Sequence, residues 1–358
     1  MTVTPDDREV HTTVPGPASR PAGGRSIAVP KVTVIIPNYN HARYLDRRIR
    51  SVLDQTYQDF EVIYLDDAST DDSNAVFRQY ADDARFTAIY NQINSGSTFK
   101  QWNRGMRRAR GEYVWFAESD DYADERLLEE LVARLDCNPH VGLAYCQSWE
   151  VDEHDRNMGS MEQWIAEAGE TRWQRDFIND GREECRRSFL FKNTIPNASG
   201  VLFRRVVYEQ VGGTDETMRL CGDWLLWIKI LLVADIAFVA RPLNYFRTHA
   251  RTARSSTARG GVRVEESYRV LAFLACNLPI PREALDRACS VAAWGWLAAS
   301  RAAWIPWRRN RAIYRVARRV DPHLHRRLLV LTIRYLVSGV GRRLATPFLH
   351  RRRSEGMR

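Results

Sequence analysis

Short apolar runs that stop abruptly at polar clusters constrain this chain more than any other feature. Val32-Thr33-Val34-Ile35-Ile36 is almost entirely β-branched and runs into Pro37-Asn38-Tyr39-Asn40. Glu61-Val62-Ile63-Tyr64-Leu65 ends at Asp66-Asp67, and Tyr113-Val114-Trp115-Phe116-Ala117 ends at Glu118-Ser119-Asp120-Asp121. Phe86 to Tyr90 forms one more such run. Runs of this length and composition read as buried strands. Helical periods separate them. Leu45, Ile49, Val52 and Leu53 follow Asn40, which is expected to cap their helix. Trp102, Met106 and Ala109 share a face, with Gly111 as the expected C-terminal stop. Leu127, Leu128, Leu131 and Leu135 follow Asp124 as a second expected cap. Alternation of this kind specifies an α/β fold with a mostly parallel sheet and helices on its faces. Ligands in such sheets bind beyond the carboxyl ends of the strands. The three polar clusters fall there, so they are expected to converge on one crevice.

The rest of the chain divides by composition. Residues 1–30 are rich in Pro, Gly, Ser and Thr without a hydrophobic period and read as a disordered leader. Val141–Cys146 and Val201–Phe203 read as further strands, Val206–Val211 as a short helix, and Asp223 as the start of an apolar helix through Leu231. Residues 150–190 are polar with interspersed Trp164, Trp173 and Phe177, which is expected of a long functional insertion or lid. Beyond about residue 260 the strand pattern gives way to helices. The expected division is a leader at 1–30, a catalytic domain at 31–255 and a helical, Arg-rich region at 256–358.

The formal net charge of +9 is unevenly distributed. Sixteen arginines and two acids, Asp321 and Glu355, lie between Arg301 and Arg358, and the remainder is mildly acidic. A nucleic-acid reader usually carries its basic surface on its folded body, so the concentration in the tail argues against that class. The six cysteines show no CxxC spacing and no clustering with histidine, which argues against a structural zinc site or a disulfide scaffold and fits a reducing compartment. The apolar tract Leu328–Val340 is interrupted by Arg334 and is too short to span a bilayer.

Each polar cluster carries two readings on its own. Three carboxylates crowded on the Glu118–Asp121 loop either supply oxygen ligands to a divalent cation or form a solvated turn that caps the next helix. Asp66-Asp67 either accepts hydrogen bonds from a base or ribose or forms an Asx turn. Asp223 is either a general base or an N-cap. His249 is either a metal or phosphate contact or a structural histidine. Neither GxGxxG nor GxxxxGK[ST] follows the first strand, so nicotinamide, flavin and P-loop sites are not supported.

Taken together, these motifs resemble family 2 glycosyltransferases. The resemblance rests on Val32–Asn40, Ser51-Val52-Leu53-Asp54-Gln55-Thr56-Tyr57, Leu65–Asp71, Asn94-Ser95-Gly96, Asn103-Arg104-Gly105, Gly111–Val114 and Glu118–Asp121. It continues through Asn197–Arg204, Gly212-Gly213, Asp223-Trp224 and Arg247-Thr248-His249, covering about residues 31–250 in family order. It implies a GT-A fold, a Rossmann-like mostly parallel sheet, here with a C-terminal helical extension. It also implies a nucleotide-sugar donor, Mn²⁺ or Mg²⁺, and inversion at the anomeric carbon. By the same resemblance Pro37, Asn38, Tyr39, Asn40, Asp66, Asp67, Ser97, Lys100, Glu118 and Ser119 would line the nucleotide-sugar site. Asp120, Glu118 and His249 would hold the metal, and Asp223 would be the catalytic base. Two positions depart from the family pattern. Glu118 stands where the first acid is usually Asp, and Gly222 stands where an acid often precedes the base.

The implied acceptor is a hydroxyl of a cell-surface glycan or of a lipid-linked glycan. The tail alternates arginine pairs with apolar groups, which suits either an anionic membrane surface on the cytoplasmic side or a helical cap with a solvated face. Three rivals remain at this stage: a catalytically inactive nucleotide-sugar-binding relative, a nucleic-acid binder led by the tail, and a nucleotidyltransferase, which would release pyrophosphate instead of a nucleoside diphosphate.

Overall fold

The computed structural model describes residues 29–165, 171–249, 259–302 and 305–337. The leader expected at 1–30 therefore lies almost wholly outside the described residues. Strands β1 (Val32–Asn38), β2 (Phe60–Asp66), β3 (Phe86–Tyr90) and β4 (Tyr113–Phe116) pair in parallel in the order β3-β2-β1-β4. In register, Val32 lies opposite Phe60 and Tyr113, and Asn38 opposite Asp66. The first two polar clusters are thus side by side at the carboxyl ends of the strands, as the alternation requires.

Beyond β4 the sheet becomes mixed. β9 (Val201–Arg204) runs antiparallel to both β4 and β6 (Val141–Val151), and β10 (Asp235–Arg247) pairs in parallel with β6. A two-residue strand, β5 (Tyr122–Ala123), pairs with the end of β10, placing Tyr122 opposite Tyr245. This short pairing draws the acidic loop against Arg247. Two further short strands, β7 (Asn157–Ser160) and β8 (Phe177–Asn179), add to β6 and β10.

Alternation along β1 divides the core. Val32, Val34 and Ile36 face α1 (Ala42–Leu53) and α4 (Leu127–Asp136). Ile35 faces the side covered by α3 (Thr98–Met106) and α8 (Gly222–Leu231). Between them in chain order lie α2 (Ser73–Arg78), α5 (Glu162–Ile165), α6 (Gly181–Glu184) and α7 (Arg205–Gln210). The second core continues into α9 (Val262–Asn277), α10 (Arg282–Ala302), α11 (Trp307–Val320) and α12 (Leu324–Val337) through Tyr268, Leu271, Cys289, Ile313 and Leu324.

Several local expectations are corrected. His41, not Asn40, is the N-cap position of α1; Asn40 adopts φ 56° and its Oδ1 accepts from the Thr70 N–H at 2.7 Å. Asparagine tolerates the left-handed region because its short amide bonds locally. α3 ends at Met106, so Ala109 lies outside it, and Gly111 is no helix stop. A Cβ on Gly111 would come within 2.5 Å of the Thr33 backbone nitrogen, so glycine there admits β1 beside the start of β4. Asp124 precedes the N-cap position of α4, which is Arg126, and accepts the Arg126 N–H at 3.0 Å.

Candidate active site

The ends of β1 and β2 are tied by side chains. Asn38, 2% exposed, donates from Nδ2 to Asp66 Oδ1 (3.1 Å), Tyr64 Oη (3.2 Å) and Ser69 Oγ (3.1 Å). Asp66 Oδ2 accepts from the Ser69 N–H at 2.9 Å. Asp67 accepts from Asn91 Nδ2 (2.5 Å), Ser95 N (2.8 Å), Ser95 Oγ (2.7 Å) and Gln101 Nε2 (3.0 Å). Four donors match the capacity of a carboxylate. Asp67 thereby fixes the Asn94–Ser97 segment that leads into α3. Pro37 is buried in β1, while Tyr39 is 44% exposed. Ser97 is the N-cap residue of α3 with an unpartnered, buried Oγ, and Lys100 is exposed on the same helix.

Two buried arginines hold the acidic loop after β4. Arg48 on α1 donates from Nε to the Glu118 carbonyl at 2.8 Å, beneath the Trp115 ring. Arg247 at the end of β10 donates from Nε to the Asp120 carbonyl (2.7 Å) and from its backbone N–H to Asp121 Oδ1 (2.8 Å). Burial lowers the Arg48 guanidinium to about 10, against the attraction of Asp121, Asp120 and Glu118. The three acids of the loop then part company. Glu118 accepts the Trp102 indole N–H at 2.7 Å, and burial, reinforced by Asp120, pushes its carboxyl up to about 8. Asp121 points inward and accepts from Asn197 Nδ2 (2.5 Å) and Ser199 Oγ (2.6 Å); burial and the Asp120 charge raise it. Burial would raise Asp120 as well, but the His41 and His249 imidazoles outweigh it and hold the carboxyl low.

Asp120, His41 and His249 form one group whose ligand-capable atoms lie within 4.8 Å of one another. His249 Nε2 is 3.1 Å from Asp120 Oδ2. His41 Nδ1 is 2.8 Å from Ser119 Oγ, which leaves Nε2 as its free ring nitrogen. Two imidazoles and a carboxylate fit a divalent ion that accepts both nitrogen and oxygen, and suit Mn²⁺ better than Mg²⁺, which prefers oxygen donors and water. Glu118 is not in this group; its Oε1 is engaged by Trp102. His41 was not singled out in the sequence. Its one signal is position, directly after the Asn38–Asn40 cluster at a strand end.

Asp223 occupies the first turn of α8, half-buried, and accepts from Asn193 Nδ2 at 2.9 Å. The glycine before it has a steric cause: a Cβ on Gly222 would meet the Phe99 ring at 2.6 Å. Phe99 and Trp102 are neighbours on α3 (5.2 Å between rings). One helix therefore contacts both the start of α8 and, through Trp102, the acidic loop.

Comparisons with known proteins bear on the family and the fold. The model of "Glycosyl transferase family 2" matches residues 33–212. The "Uncharacterized glycosyltransferase alr2836" of Nostoc sp. is 30% identical over 240 residues, covering 64% of this chain and 68% of that protein. The Staphylococcus aureus "Poly(ribitol-phosphate) beta-N-acetylglucosaminyltransferase TarS" is 32% identical over 108 residues, which cover 30% of this chain and only 19% of TarS. Its crystal structure (residues 1–349) in complex with UDP-GlcNAc matches with a TM-score of 0.59 at 18% identity, covering 82% of each chain. The mannosyltransferase PcManGT from Pyrobaculum calidifontis, in complex with GDP-Man and Mn²⁺, matches with a TM-score of 0.52 at 17% identity, covering 87% of this chain and 88% of that one. These structures establish the GT-A-like α/β architecture with C-terminal helices. With the family model matching over half its length and a 30% identical relative covered over two thirds of its own, the chain belongs to glycosyl transferase family 2.

Proposed function

We propose that the chain is an inverting, metal-dependent glycosyltransferase that moves a sugar from a nucleotide-sugar, with UDP as the nucleotide, to a hydroxyl of a cell-surface glycan or lipid-linked glycan. The observation that carries this reading is the gathering of Asp120, His41 and His249 into one donor set beside the strand ends. Those three residues would hold the cation. When bound, a divalent ion supplies positive charge to a departing diphosphate.

The chain's own residues do the rest. Asp223 takes the proton of the acceptor hydroxyl as that oxygen bonds to the anomeric carbon and the carbon–oxygen bond to the diphosphate breaks. Asn193 orients the Asp223 carboxylate. Asn38, Asp66, Asp67, Ser97 and Glu118 build the wall against which the nucleoside is bound, with Pro37, Tyr39, Asn40, Lys100 and Ser119 at its margins. The relatives' bound donors, UDP-GlcNAc in TarS and GDP-Man in PcManGT, define the first panel to try. A second element of the proposal is peripheral attachment of the Arg-rich helices to an anionic membrane.

The test is release of nucleoside diphosphate from UDP-, GDP- and dTDP-sugars with Mn²⁺ or Mg²⁺, beside Asp120→Ala and Asp223→Asn. Metal-dependent release from one donor, lost in both variants, is the expected result. Metal-dependent nucleotide binding with no release, with or without a glycan acceptor, would assign the chain to a binding protein on the same fold.

A further inference from the structure

The base helix α8 is anchored by a residue from outside the family match. Glu266, on α9, is 3% exposed and lies 54 residues beyond the last matched position, Gly212. Its Oε1 accepts the Arg219 N–H at 2.7 Å, and its Oε2 accepts the N–H groups of Leu220 (2.9 Å) and Cys221 (2.8 Å). Cys221 is the N-cap residue of α8, and Asp223 stands two residues further on. Three successive amides converging on one carboxylate form an anion-binding nest, closed here by the protein's own side chain. Such charge-assisted bonds are roughly twice as strong as neutral ones, and burial strengthens them further.

The same segment is held elsewhere. Arg269, on the next turn of α9, donates to Asp215 Oδ2 (2.9 Å) and Thr217 Oγ1 (2.7 Å). The next residue, Gly222, lies against Phe99, with no room for a Cβ. The backbone entering α8 is therefore gripped from α9 and backed by α3, and Asp223 has little freedom to drift. We propose that Glu266 is a positioning residue for the base: it fixes the 219–221 backbone, and through it the direction in which Asp223 presents its carboxylate. This rests on Asp223 being the base. It makes the helical region a working part of the catalytic site.

The test is a double-mutant cycle in the full chain, measuring nucleoside diphosphate release from UDP-GlcNAc and GDP-Man with Mn²⁺. Glu266→Gln keeps the shape but offers one acceptor where three amides need two. It is expected to lower kcat about 10- to 100-fold, with donor KM and Mn²⁺-dependent UDP binding within about twofold of wild type. Asp223→Asn alone is expected to lose about 10³-fold or more. The double variant should be no slower than Asp223→Asn within about twofold, because the positioning of an absent base has no value. Multiplicative losses in the double variant would overturn the proposal while leaving the base assignment intact. So would a fall in Tm with kcat unchanged in Glu266→Gln. Full turnover by Asp223→Asn would instead remove the base reading, and this inference with it. Should Glu266→Gln fail to fold, Glu266→Asp enters the same cycle, with the same outcomes deciding.

Discussion

His41 and Ala68 show what single residues contribute at the crevice. His41 occupies the N-cap position of α1, three residues beyond β1, and Ser119 engages its Nδ1, so a ring that would otherwise rotate is held in place beside Asp120. Removing a metal-binding imidazole weakens the site by more than the loss of a supporting contact, which itself costs 10- to 100-fold. His41→Ala is therefore expected to raise the Mn²⁺ concentration for half-maximal UDP binding by about tenfold or more. Calorimetric titration checks this, and an unchanged midpoint would remove His41 from the donor set. Ala68 follows the Asp66-Asp67 pair at φ 60°, a left-handed conformation that costs an L-residue about 1–2 kcal/mol. Glycine adopts it freely but loses about 0.5–1 kcal/mol through greater chain entropy. Ala68→Gly should thus stabilise the fold by up to about 1.5 kcal/mol, seen as a higher denaturant midpoint with an unchanged slope. Of the grouped residues, Asp120 and His249 are legible in the sequence because they stand in the motifs Glu118–Asp121 and Arg247-Thr248-His249. His41 is not, since a lone histidine carries no spacing signal and its meaning arises only when α1 and β10 meet.

Apolar runs are legible as strands in the sequence, β6 and β9 among them, whereas helix ends and the interrupted strand β10 are not. β1, β2, β3 and β4 are continuous apolar runs, and the helices on their faces repeat every three to four residues. β10 escaped notice because Arg241 and Pro242 interrupt it, and its pairing with β6 shifts register around Pro242. The polar stretch at 150–190 read as an insertion or lid because its charges outnumber its apolar residues. In the described part, two of those charges, Arg172 and Glu184, serve the core. Trp173 is 2% exposed and packs edge-on against Phe177 and Phe238. Arg172 stacks over Phe177 at 4.1 Å while pairing at 2.8 Å with Glu184, which is fully buried. A side chain on a hinged lid contributes little to global stability, whereas truncating a buried tryptophan costs about 3–5 kcal/mol. Trp173→Ala is expected to lower stability by that amount in urea unfolding. A change under about 1 kcal/mol would return the segment to the status of a mobile cover.

At the scale of the whole molecule, charge and apolar surface are sorted to the same end. α11 buries Ile313, Ala317 and Val320 and exposes Trp307 and Tyr314 among Arg308, Arg311, Arg315 and Arg318. α12 exposes Leu329, Val330 and Ile333 between Arg326 and Arg334. Tyr314 Oη lies 2.9 Å from His325 Nε2, so the two exposed faces are joined into one surface. Asp321, the single acid between residues 301 and 337, is buried and paired with Arg327 at 2.8 Å, leaving the exposed arginines of this surface without acidic neighbours from that stretch. A bilayer interface accommodates exposed leucine, isoleucine and tryptophan together with arginines. No described helix is long and apolar enough to cross a membrane, so contact at this surface would be peripheral. Each basic residue near an anionic surface contributes about 1 kcal/mol, screened by salt. The full chain is therefore expected to co-sediment with vesicles containing phosphatidylglycerol and not with pure phosphatidylcholine. Replacing Arg311, Arg315 and Arg318 with Gln should weaken binding by about two orders of magnitude at low salt. Replacing Leu329 and Ile333 with Ser should weaken it at high salt as well, because buried apolar area is not screened. Binding to DNA as tight as to anionic vesicles, with the Leu329/Ile333 variant unimpaired, would show that the arginines act as a general polyanion surface and not as a membrane anchor.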